Sequence, residues 1–204
     1  NVSDLVPPGA TVQLGVGSVM AAIGDALAST QRQYSLWTGL LGESTRPLFE
    51  SGAVDDATAC VAIGATDSFY EWVRGLDGIS FVPGTVSHSP AELARQDCLI
   101  AINGALQVDL LGQVNAETLS GRQVAGVGGQ SAFTTAARND PGGLAVLALP
   151  ARTDRGTPKI VPALETAEVV TTPRYAIDAV VTEYGVASLS NRSVADRVRA
   201  LIDV

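Results

Sequence analysis

Two glycine clusters are the places in this sequence where backbone could do chemistry. The first lies in LGVGSVMAAIGDAL, Leu14 to Leu27, where a strand is expected to end at Gly15-Val16-Gly17 and a helix to begin at once. Glycines let backbone N–H groups come close to a ligand, and a helix N-terminus favours negative charge. As a dinucleotide fingerprint the cluster fails. Met20 stands where the third glycine belongs, and no acidic residue ends a following strand at the right distance. The competing reading is a plain strand-to-helix turn. The second cluster is AGVGGQSAF, Ala125 to Phe133, again ahead of a helical stretch, Ser131–Arg138. Gly126, Gly128 and Gly129, with Gln130 behind them, offer several amides to one anion or to a developing oxyanion. A flexible hairpin would explain them equally simply. Pro141–Gly143 reads as turn chemistry alone.

Between the clusters, Asn103 follows the apolar run LIAI, so its amide should emerge at a strand's C-terminal end. Asp109 and Asn115 flank a turn at Leu111-Gly112. Glu183 stands at the tip of the apolar run in VVTEYGVA, as a strand-end cap or as a pocket residue. Asp55, Asp56 and Glu165 read as solvated loop charges. His88, in VSHSP, reads as a loop histidine rather than a catalyst. Cys60 and Cys98 sit in apolar runs and read as reduced core thiols. With one histidine and no Cys-x-x-Cys, no metal site is expected.

The elements that must position these residues alternate along the chain. Expected strands are Thr11–Val16, Tyr34–Leu40, Ala59–Ala65, Ile79–Val82, Leu99–Asn103, Leu144–Leu149, Glu168–Thr172 and Ala179–Thr182. Several are apolar on every residue, which means burial on both faces, the habit of parallel strands covered by helices. Expected helices are Val19–Ala28 with Ser18 as N-cap, Asp67–Leu76, Ser89–Gln96 and Ser193–Ile202. In the last of these, Val194, Val198, Leu201 and Ile202 would form one apolar stripe. The pattern predicts one α/β domain over residues 1–204, with a mostly parallel sheet and helices on both faces.

A chain of 204 residues can bury about 70% of its unfolded surface without disulfides or metals. Its 46% hydrophobic and 17% charged residues exclude disorder. Net charge is −8 with no Lys/Arg cluster, so nucleic acid and anionic membrane are not expected partners. Mean hydropathy is +0.24, yet no apolar stretch nears the ~20 residues that span a bilayer. No signal peptide is visible, and the expected location is cytoplasmic.

Seven segments in one order carry a resemblance: GATVQLGVGSVMAAI, LFESGAV, NGALQVDLLGQVNAE, GVGGQSAF, GGLAVLALP, KIVP and VVTEYGVASL. From Leu5 to Val204 the chain resembles the C-terminal domain of the acetyl-CoA hydrolase/transferase family. The resemblance implies a CoA-transferase-like fold, cut from a longer two-domain chain. It implies acyl-CoA as substrate, a small carboxylate or water as acceptor, no tightly bound cofactor, and a homo-oligomer or partner subunit. In the family a glutamate attacks the thioester, giving an anhydride and then a glutamyl-CoA thioester. Gly15, Val16, Gly17, Asn103, Gly126, Gly128, Gly129, Gln130 and Glu183 would line the substrate pocket, with the glycine-turn amides holding the oxyanion.

The departures fall on the same site. Aligned on Leu48–Gly52, Gly39 stands where the family has its nucleophilic glutamate, and glycine has nothing to attack with. Glu43 stands where the family has a following aspartate, Ala132 replaces another aspartate, and Gln107 a glutamate. Glu43 and Glu183 are the remaining carboxylate candidates for a catalytic base. A pseudo-enzyme subunit that binds acyl-CoA without turning it over is the alternative.

Overall fold

Burial on alternate sides of continuous apolar strands explains the architecture of the computed structural model, which describes residues 2–204. In chain order the elements are β1 (Thr11–Leu14), α1 (Ser18–Ala28), β2 (Ser35–Leu41), α2 (Arg46–Glu50), β3 (Ala57–Ala62), α3 (Asp67–Arg74) and β4 (Ile79–Phe81). Then come α4 (Gly84–Ser87), α5 (Pro90–Leu93), β5 (Leu99–Asn103), β6 (Gln107–Asp109), β7 (Val114–Asn115), β8 (Thr118–Leu119) and β9 (Arg122–Gln123). The chain continues with α6 (Gln130–Asn139), β10 (Leu144–Ala148), β11 (Ile160–Val161), β12 (Ala179–Val181), β13 (Val186–Ser188) and α7 (Val194–Ile202).

Among the described residues, eight strands form the main sheet in the order β13-β12-β10-β5-β1-β2-β3-β4. All neighbours pair in parallel except β12 with β13, which is an antiparallel edge. From β1 the chain steps outward through β2, β3 and β4, then returns to the other side of β1 for β5, β10 and β12. The winding therefore reverses between β1 and β5. Open α/β sheets bind ligands in the crevice beyond the strand ends at such a reversal.

Period-two alternation divides the core. Ile100, Ile102, Val146 and Ala148 point to the face where α1 lays down Met20, Ile23 and Leu27. Leu99, Ala101 and Ala145 point the other way, onto Phe133 and Ala137 of α6. Leu147, Val180 and Leu201 of α7 form a third cluster. Helices thus cover both faces, as the continuous apolar runs require.

Four expectations are corrected. Glu168–Thr172 is not a strand: it runs as irregular chain with a single bridge, Thr172 to Val114, and Val169 and Val170 are exposed. Ser18 is the first residue of α1, and Gly17 is its N-cap, at φ +110°, where only glycine rests comfortably. The helix expected over Ser89–Gln96 keeps regular form only from Pro90 to Leu93, and the chain tightens where Arg95 and Gln96 donate to Glu92 and Leu93 carbonyls. In α7 the four apolar residues do not share one buried stripe. Leu201 is buried, while Val194 and Ile202 face solvent.

Candidate functional site

Beyond the ends of β1 and β5 lies a cavity of about 600 Å³. β1 stops at Leu14, and Gly15 N–H donates to Ile102 O at 2.8 Å, holding the turn against the end of β5. A side chain at Gly15 could not fit there easily. Its Cβ would lie 3.3 Å from Asn103 Oδ1 and 3.4 Å from Asn103 Cα. Gly17 then opens α1 with no side chain capping it, so the first amides of that helix keep their donors for other partners. Gly17, Ser18 and Val19 all line the cavity.

The second glycine turn reaches the same cavity from the opposite wall. Gly126, Val127, Gly128 and Gly129 line it, Gly128 has φ +59°, and Gly129 is the N-cap of α6. No side chain caps this helix either. Two uncapped helix N-termini therefore meet across one space, each carrying partial positive charge on its free amides. Gln130 follows at 8% exposure, and its Nε2 has no hydrogen-bond partner. Among the described residues, Thr172 Oγ1 is the other buried side-chain atom left without one.

The segment leading to this turn is tied down by a polar hub. Asn115 Nδ2 donates to Thr118 O at 2.8 Å and to Glu168 Oε2 at 3.0 Å, while Oδ1 accepts from the Glu117 and Thr118 amides. Hydrogen bonds from Thr118, then from the Gly121 and Ser120 amides and Asn115, hold the Glu168 carboxyl below the usual carboxylate range. Asp109 accepts from the Leu111 and Gln113 amides and so shapes the turn at Gly112.

Asn103 lines the cavity at the end of β5, paired with Gln13 in both directions: Asn103 Nδ2 donates to Gln13 Oε1 at 2.8 Å, and Gln13 Nε2 to Asn103 Oδ1 at 3.2 Å. Gly15, Val16, Gly17, Asn103, Gly126, Gly128, Gly129 and Gln130 are thus brought together around one space. Glu183 is not among them. It lines a neighbouring cleft with Tyr184 and Gly185, and its Oε2 accepts from Ala151 N–H at 2.8 Å, a strand-end cap. Glu43 is exposed at the start of a short 3-10 helix beyond β2 and does not line the cavity. Gln107 and Ala132 also lie outside the lining.

No Asp, Glu, Lys or Arg lines this cavity. Its polar character comes from amides, hydroxyls and carboxamides, and from two side chains that sequence reasoning set aside, Cys60 and His88. Cys60 is a free, half-buried thiol on β3 that borders the cavity instead of filling the core. His88 follows α4, and its imidazole lies beside Gly39 of β2 and Gly129. Proximity of three segments that are distant in sequence carries no local signal, so these two residues could not have been picked from the chain alone. Among the described residues, no group of three or more His, Cys, Asp or Glu side chains is placed to hold a metal ion. No helix of the described residues is long and apolar enough to cross a membrane.

A mostly parallel open sheet with a cavity at its winding reversal defines an α/β domain wound in both directions from β1. More narrowly, it belongs to the acetyl-CoA hydrolase/transferase family: residues 65–204 match the C-terminal domain of that family. The 4-hydroxybutyrate coenzyme A transferase of Clostridium kluyveri is 31% identical over all of this chain and 49% of its own length. An acetyl-CoA hydrolase of Candida albicans is 32% identical over 94% of this chain and 37% of its own. The crystal structure of RipA from Yersinia pestis superposes with a TM-score of 0.89 at 30% identity, over 99% of this chain and 47% of that one. The chain thus spans between 37% and 49% of the length of these relatives.

Proposed function

We propose that this chain binds the thioester end of a small acyl-CoA in the cavity between its two glycine turns and takes part in transfer or hydrolysis of the acyl group. One observation carries the reading: two uncapped helix N-termini meet across a cavity that holds no charged side chain. Attack on a thioester carbonyl places negative charge on its oxygen, and preorganised amides in a site of low polarity are what stabilise that charge. Gln130 lines the same space with a carboxamide whose Nε2 is buried and unpaired. Val16 and Val127, 57% and 46% exposed at the rim, offer apolar surface to an acyl chain. The family membership and the names of the relatives support the choice of thioester over other carbonyl compounds.

A second reading has its own support. Gly39 presents no side chain to the cavity, and no carboxylate lines it, so a covalent glutamyl route has no residue here to run on. On that reading the chain is an acyl-CoA-binding module working beside an active subunit. Incubating the full polypeptide with acetyl-CoA, butyryl-CoA or succinyl-CoA, with and without acetate, separates the two. Release of free thiol or formation of a new acyl-CoA supports the enzyme. A rise in melting temperature with CoA and no turnover supports the binding module, and neither effect rejects both.

A further inference from the structure

We propose that His88 is the catalytic base of this cavity, drawing a proton from water as the water attacks a thioester; the inference rests on the acyl-CoA reading above and names the group that would do the work. The sequence has 13 Lys and Arg and 21 Asp and Glu residues, and none of them lines the cavity. A general base must have a lone pair within reach of the water it deprotonates. Imidazole is the one such base in this lining; the other titratable side chain there is the Cys60 thiol.

The fold makes room for this ring and aims it. A Cβ at Gly39 would lie 2.6 Å from His88 Nε2, and a Cβ at Gly129 would lie 2.6 Å from the same atom. Neither glycine is needed for backbone reasons, since Gly39 lies inside β2 without a positive φ and Gly129 has φ −90°. Both positions stay bare because the imidazole occupies the space between them. At the back of the ring, Nδ1 lies 2.8 Å from Ser87 Oγ, and Phe133 meets the ring edge at 5.1 Å between centroids. Ser87 is itself buried, with its carbonyl accepting from Trp37 Nε1 at 2.9 Å. A serine hydroxyl can donate or accept. When it accepts from Nδ1–H, the lone pair stands on Nε2, the nitrogen lodged between the two glycines. The turn that borders Nε2 is also the N-cap of α6, so base and oxyanion donors stand side by side.

The step balances without any further reagent. Nε2 takes a proton while the water oxygen bonds to the thioester carbonyl carbon, and the carbonyl oxygen becomes an oxyanion held by the glycine-turn amides. Collapse of that intermediate breaks the C–S bond. The imidazolium returns its proton to the departing sulfur, leaving coenzyme A thiol and a carboxylic acid that ionises in water. The groups packed round the ring, Gly39, Gly84, Gly129, Ser87 and Phe133, carry no charge, and the titratable neighbour is the Cys60 thiol: a Cβ at Gly84 would lie 3.6 Å from Cys60 Sγ and 3.9 Å from His88 Nδ1.

The test follows free thiol from acetyl-CoA and butyryl-CoA with the full polypeptide, its His88→Gln and His88→Ala variants, and Gly39→Ala, which keeps the histidine but drives its ring out of the slot. The expected result is a loss of about 100-fold or more in kcat for all three, with KM little changed. Added imidazole should restore part of the rate to His88→Ala, and the acid limb of the wild-type kcat/KM profile should be absent from His88→Gln. A folded His88→Gln or Gly39→Ala variant within threefold of wild-type rate overturns the proposal and leaves the acyl-CoA reading intact. So does turnover that needs added acetate and ignores His88, or an acyl adduct found on Cys60 by intact mass. Wild-type protein that releases no thiol and exchanges no acyl group overturns the acyl-transfer reading itself, and His88 with it.

Discussion

Two buried polar regions lie on the same sheet and are finished differently. Under β10 and β12, Asp178 is 4% exposed and every oxygen is used: Oδ2 accepts from Ala145 N–H at 2.9 Å, and Oδ1 from Arg138 Nη1 at 2.7 Å and from Ser190 Oγ. Across the sheet reversal, Gln130 is nearly as buried, yet its Nε2 meets no partner, and two helix starts beside it are uncapped. An unpaired buried polar group costs about 1–3 kcal/mol, so a fold tolerates it only where something else benefits. The satisfied region holds β10 to β12. The unsatisfied one has donors left over for a guest.

The largest test of this contrast is Asp178→Ala. It strands the buried Ala145 amide and removes the acceptor shared by Arg138 and Ser190, and should cost about 1–3 kcal/mol in urea unfolding with an unchanged m-value. A loss near zero would mean that the network is decorative and the contrast empty. A smaller effect should appear in acid at Glu168, which ties the segment ahead of the second glycine turn to Asn115. Its carboxyl is depressed in the folded protein, so its contribution is present above the ordinary carboxylate range and fades as pH falls through the lower folded value. Melting temperature should therefore drop below about pH 4.3, and less steeply in Glu168→Gln. Equal acid slopes in the two proteins would remove Glu168 from the account. The smallest stability effect should be Gln130→Met, within about 1 kcal/mol of wild type, because the amide it deletes is unpaired. The same variant should weaken the CoA-induced rise in melting temperature. If it unfolds as readily as Asp178→Ala, Gln130 is structural and the comparison collapses.

Much of the sheet was legible because it depends on local pattern. The run LIAIN forms β5 over the expected residues, and LAVLA forms β10, since strands buried on both faces must be apolar throughout. β1 ends two residues earlier than its apolar run, because Gly15 and Val16 turn away into the cavity rim. The failures have one kind of cause. Glu168–Thr172 has strand-forming residues, but it meets β7 only at the Thr172–Val114 bridge, and its bonds to Asn115 and Thr118 run through side chains, so no ladder extends along it. The two- and three-residue strands β6 to β9 are set by the Asp109 and Asn115 side chains, at lengths too short for a periodicity to register.

The sequence alone determined the parallel sheet, the helices on its two faces, and the strand-to-helix positions of both glycine turns, because each depends on residues adjacent in the chain. Only the tertiary structure decided that those turns share one cavity, that Glu183 caps Ala151 outside it, and that the ring of His88 fills the notch left by Gly39 and Gly129. The physical reason is distance along the chain. Gly39, His88 and Gly129 lie on three separate elements, and which side chain enters the gap between two glycines is settled by how the sheet folds back on itself at β1 and β5.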